Sequence, residues 1–278
     1  MSWKEFLVFA DGSEDGVARL RMAMDIAKAH DGRLEALVLS PIPAAFPMGG
    51  DVLASLDDAT RREVLKTGED TVKLLRDAAG PSDKLHIHAW TIAQGDSQSA
   101  AARAARSADL AIFGQPEEMD GSRLDTDIFL GAVLEGGRPC LMLPRWIKPH
   151  AWGKRALIIW KGTPEASRAL QAALPFLVQA EAVRLCAPNP RGHVFGEDQE
   201  GLARIAAYLM RHGVKVEEPV MRESWEGSEY MLPSEIDSFR ADFLVFGAYE
   251  GSRVVEDLFG GVTAKMVREA RIPIVMAR

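Results

Sequence analysis

The chain has 278 residues, 47% of them hydrophobic and 26% charged, which is enough apolar surface for one large core or two ordinary ones. A formal net charge of -7 argues against a nucleic-acid backbone or an anionic membrane as the main partner. The start, Met1 to Glu5, carries no basic-then-apolar signal segment, and no apolar run approaches the roughly 20 residues of a membrane span. With two cysteines, Cys140 and Cys186, far apart in strand-like surroundings, a reduced cytoplasmic compartment is expected.

In chain order, Phe6–Ala10 is a continuous apolar run, as a strand buried on both faces requires. Asp11, Gly12 and Ser13 turn the chain and supply N-cap chemistry for a helix whose stripe is Val17, Leu20, Met24 and Ala27. A strand over Leu34–Leu39 is expected to stop at Ser40 and Pro41. A loop follows over 42–50, and then a long, charged helix over 52–79. Leu85–Ile92, Leu110–Phe113 and Pro139–Leu143 read as strands, with an alanine-rich helix over Ser97–Ser107. Strands alternating with helices predict parallel pairing with helices on both faces.

The pattern then restarts. Lys161, Gly162 and Thr163 follow the apolar run Ala156–Trp160 as Asp11, Gly12 and Ser13 follow theirs. Ala108–Gly114 is matched by Ala241–Gly247, and Arg138–Met142 by Ile272–Met276. Self-similarity this long means two copies of one unit, divided where Pro144, Pro149 and Gly153 interrupt regular structure. The domains are therefore set at 1–145 and 154–278, with a linker over 146–153 whose Trp146 and Trp152 are expected to pack the domains together. In the second copy a helix follows Thr163, with Pro164 in its first turn and Pro175 expected to kink or end it. Strands are expected over Val183–Ala187 and Val214–Met221, and helices over Gln199–Arg211 and Ser234–Arg240. The last third then reads as strand Phe243–Phe246, a glycine-punctuated loop, a helix over Val262–Glu269 and strand Ile274–Met276. A strand, a glycine loop and a helix N-terminus form a common anion grip, because unpaired N–H groups point outward there.

Over nearly its whole length the chain resembles a tandem universal stress protein. That resemblance implies two doubly wound, five-stranded parallel-sheet α/β domains of the adenine nucleotide alpha hydrolase-like kind, related by a pseudo-twofold axis and paired within the chain through their fifth strands. It also implies a nucleotide motif, G-x2-G-x9-G and then Ser or Thr, acting with an Asp at the end of the first strand. In the second repeat Gly247 and Gly260 match. Glu250 replaces the middle glycine beside Gly251 and Ser252, Gly261 stands at the hydroxyl position with Val262 and Thr263 after it, and Lys161 replaces the Asp. Arg253 is a further phosphate candidate, with an exposed helix-start arginine as its plain alternative. In the first repeat Asp11, Gly12 and Ser13 are intact, but Glu117, Glu118, Asp120 and Asp125 stand where phosphates would lie and repel them.

The expected function is thus a non-catalytic stress-response protein with a regulatory or interaction role and degenerate nucleotide motifs. ATP or AMP binding by the second repeat is the alternative, and slow nucleotide hydrolysis a weaker one. No G-x-S-x-G elbow and no P-loop is present. His86 and His88 share a strand face, and without a third ligand placed by the sequence they read as surface histidines rather than a metal pair. A homo-oligomer and a protein partner are both left open.

Overall fold

The computed structural model describes residues 3–42, 58–116, 123–147, 152–188, 199–222, 231–248 and 262–278. The chain divides into two compact units, Met1–Pro149 and His150–Arg278.

In the first unit β1 (Glu5–Phe9), β2 (Arg33–Ile42), β3 (Leu85–Ala93), β4 (Leu110–Gly114) and β5 (Cys140–Leu143) lie in the order β3-β2-β1-β4-β5. All neighbours are parallel, with Phe6 opposite Leu34 on one side and Leu110 on the other. The strands are apolar throughout because both faces are covered. α1 (Glu14–Ala29) packs against α2 (Asp58–Ala79), and α3 (Ser97–Ala105) against α4 (Arg123–Leu130) and the π-helical turn Gly131–Glu135 that continues it. β1 and β4 are neighbours reached by different crossovers, so their carboxyl ends form the topological switch point, where open α/β sheets hold ligands.

The second unit repeats the plan with β6 (Arg155–Ile159), β7 (Ala182–Pro188), β8 (Val220–Arg222), β9 (Phe243–Gly247) and β10 (Ile274–Ala277), ordered β10-β9-β6-β7-β8 and again parallel. Its helices are α5 (Pro164–Leu177), α6 (Gln199–Arg211), α7 (Met231–Phe239) and α8 (Val262–Glu269). The repeat has a side-chain counterpart. Asp109 accepts from the amides of Lys4 and Glu5 at 2.7 and 3.0 Å. Asp242 accepts from those of Lys154 and Arg155, both at 2.9 Å. In each unit one aspartate before the fourth strand clasps the start of the first.

Several expectations shift. β2 runs on through Ser40 and Pro41 to Ile42; beyond Leu37 it pairs with β3 alone, and a strand with one free side tolerates proline. Residues 52–57 of the expected long helix lie outside the described residues. α4 and its π turn were not expected at all. α5 runs past Pro175 to Leu177, so the proline lies in its last turn and the helix ends two residues beyond it. Of the strand expected over Val214–Met221, a single bridge at Val216 and the short β8 remain. Trp152 packs inside its own unit, its ring 5.3 Å from Phe176 and 5.7 Å from Phe243, whereas Trp146 is 78% exposed. No helix among the described residues is long and apolar enough to cross a membrane.

Candidate functional site

The first unit opens a cleft at its switch point. β1 ends at Phe9, and Asp11 then turns the chain by accepting from the Ser13 amide at 2.8 Å through Oδ1. Ser13 is the N-cap of α1, its hydroxyl accepting from the Gly16 amide at 2.9 Å. Gly12 is exposed between them. The cleft has a volume of about 360 Å³, with Asp11, Arg19, Gln115, Asp125, Arg145 and Trp146 among its lining. A smaller recess of about 30 Å³ lies against Arg19, Asp11 and Asp125 and reaches Leu37 and Phe113.

Arg19 dominates this cleft. Six residues after the N-cap, it points inward with its side chain 9% exposed, and its Nη2 donates to Asp11 Oδ2 at 2.9 Å. Its Nη1 lies so close to Gly114 that a Cβ there would overlap it. The guanidinium thus takes the space that a side chain at this position would fill. Burial raises the Asp125 carboxyl above the ordinary carboxylate range; the nearby Arg19 opposes this rise and Asp11 adds to it. Gln115 is buried and accepts from the Arg145 amide at 3.1 Å, which fixes the chain after β5 at the cleft mouth. Burial also lowers the Arg145 guanidinium from its usual value. Four carboxylates (Asp11, Glu14, Asp15 and Asp125) face two guanidiniums in all. An arriving polyphosphate meets a net negative wall.

The second unit places the equivalent groups differently. Lys161 is exposed. Gly162 has a φ of +71°, a left-handed backbone that favours glycine, and Thr163 caps α5 by accepting from the Ala166 amide at 3.2 Å. Six residues after this cap stands Ala169, fully buried, where the first unit has Arg19. Gly247 instead abuts the first turn of α5: a Cβ there would overlap the amide nitrogen of Ala166. Close packing of helix against strand accounts for its glycine. Gly251, Ser252, Arg253, Gly260 and Gly261 lie outside the described residues. Val262 and Thr263 form the first turn of α8.

The sequence singled out Asp11, Gly12, Ser13 and Asp125, and the fold gathers Asp11, Ser13 and Asp125 at one cleft. It missed Arg19, Gln115 and Arg145. The available sign for Arg19 was its place on the inward stripe of α1, which runs through Gly16, Arg19, Leu20, Ala23, Ile26 and Ala27. The expected stripe shared only Leu20 and Ala27 with it; Val17 and Met24 are half-buried. His86 and His88 lie with rings 5.0 Å apart, and His88 Nε2 is 3.3 Å from Glu35. No group of three metal-binding side chains is found among the described residues.

No protein-family model and no curated protein matches the chain. Among solved structures, a universal stress protein from Archaeoglobus fulgidus DSM 4304 matches 100% of this chain and 97% of its own, at 15% identity and a TM-score of 0.69. A universal stress protein from Archaeoglobus fulgidus in complex with dAMP covers 51% of this chain and 98% of its own, at 17% identity and a TM-score of 0.33. The universal stress protein UspA from Lactobacillus plantarum covers 52% and 98%, at 19% identity and a TM-score of 0.34. The two half-length matches carry no weight at those scores. The full-length likeness establishes the fold: two consecutive α/β units of the universal stress protein kind.

Proposed function

We propose that this chain is a non-catalytic tandem universal stress protein, a regulatory or interaction module whose phosphate grip is lost in the first unit and altered in the second. The observation that carries this reading is Arg19. It fills the space at Gly114, is already neutralised by Asp11, and sits in a wall of excess carboxylates. Two buried cysteines with no disulfide suit a reducing, cytoplasmic setting. Titration calorimetry of the full chain with ATP and AMP tests the proposal, and no saturable heat is expected.

One observation favours a second reading, an adenine nucleotide held by the second repeat. α8 begins at Val262, directly after Gly260 and Gly261, so its unpaired N–H groups follow a glycine pair, as anion grips require. Saturable ATP binding that Gly260→Glu abolishes would establish this reading and overturn the first.

A further inference from the structure

The first cleft holds groups of both signs, and one of them has an unmet donor. Arg19 is nine-tenths buried, and among the described residues it donates to Asp11 alone; its buried Nε has no partner. A buried guanidinium N–H without an acceptor is costly and points to an acceptor missing from the site. On the same wall stands the Asp125 carboxyl, which burial raises above the ordinary carboxylate range although Arg19 lies near. An added anion alone is repelled by four carboxylates, and an added cation alone leaves Arg19 unmet. Leu143, Pro144 and Ile147 give one stretch of the lining an apolar character beside Trp146. Trp146 is 78% exposed and has a φ of +56°, a backbone uncommon for a bulky residue; its amide donates to Asp15 at 3.2 Å. A large indole held in water at the edge of a concavity is a stacking surface.

We infer that the first cleft takes a small zwitterion of the α-amino acid class, its carboxylate on the guanidiniums of Arg19 and Arg145, its ammonium on Asp125, and a large apolar side chain against Ile147 and Trp146. This rests on the reading above, that the first cleft does not take phosphate. The volume of about 360 Å³ lies at the lower end of ordinary small-ligand pockets, as a single amino acid requires.

The test is titration calorimetry on the full chain with three probes of one shape: L-phenylalanine, phenethylamine (no carboxylate) and 3-phenylpropanoate (no ammonium). L-Phenylalanine binds saturably, and each truncated probe is weaker by roughly tenfold or more, the loss of one charged hydrogen-bonded contact. Asp125→Asn keeps the shape of the side chain; it weakens phenylalanine by roughly tenfold and does not weaken 3-phenylpropanoate, which loses a repelling carboxylate. Absent phenylalanine binding, equal binding of all three probes, or unchanged phenylalanine affinity in a folded Asp125→Asn protein overturns the inference. ATP titrated into the same preparations separates the two failures. Nucleotide binding that Asp125→Asn alters and Gly260→Glu does not overturns the functional reading as well. ATP silence together with phenylalanine silence overturns this inference alone.

Discussion

Arg19 Nη2 and Asp11 Oδ2 lie 2.9 Å apart, joining a helix residue to the end of β1 across the mouth of the first unit's cleft. The pair is asymmetric, because the Arg19 side chain is 9% exposed and that of Asp11 48%. Removing the half-exposed partner strands a buried cation, while removing the cation leaves a carboxylate that water still reaches.

Arg19→Met therefore keeps most of the volume and takes away the charge, and Asp11→Asn keeps the shape and takes away the counter-charge. We expect Asp11→Asn to cost about 1–3 kcal/mol and Arg19→Met less. Hydrogen exchange under mild urea, followed on first-unit amides, measures both. A larger loss in Arg19→Met would show that the aspartate, not the arginine, depends on the pair.

Gly114 and Gly247 stand at the same place in the two units but for different reasons. A methyl at Gly114 meets the end of a flexible arginine, which can swing away. A methyl at Gly247 meets the backbone of Ala166, which cannot. Gly247→Ala is expected to cost about 1–3 kcal/mol by overpacking, and Gly114→Ala clearly less. Urea unfolding read by unit-specific hydrogen exchange checks the order. Equal costs would contradict the backbone contact.

His88 sits beside Glu35 with its Nδ1 buried and unpartnered. Its pKa is lowered by burial, with Glu35 opposing the shift and His86 adding to it. His30, packed against Trp3 and Phe6, is lowered first by burial and then by Lys4. Both groups take up a proton more readily unfolded than folded, so their contribution to stability is present above the unfolded value of 6.5 and is lost as pH falls through the folded values. Urea midpoints should fall between pH 7 and about 5, and His88→Gln should flatten that slope. An unchanged slope in the variant would show that His88 does not carry it.

The repeat, the strands and the parallel architecture were legible because each rests on local pattern: apolar runs, caps at Ser13 and Thr163, and the twin Ala-Asp segments before β4 and β9. The cleft was half legible. Asp11 and Ser13 announce themselves by turn chemistry, and Asp125 by its place in an acid-rich stretch. Arg19 does not, since an arginine within an amphipathic helix ordinarily reads as solvent-facing. Its inward turn follows from a buried stripe that runs through Gly16 and Ala23, small residues that carry little hydropathy. The helix α4 was hidden because an acid-rich, loop-like stretch precedes it, although Leu124, Ile128 and Phe129 carry helical spacing.

The aspartate clasps at Asp109 and Asp242 sit at the amino ends of the first strands, while Asp11 and Lys161 sit just past their carboxyl ends. Each copy thus anchors itself at one pole and keeps its divergent residues at the other. Substitutions at the carboxyl pole leave the anchoring pole untouched, and so twin scaffolds can diverge in chemistry, one holding an internal cation and the other an exposed lysine, without either losing its shape.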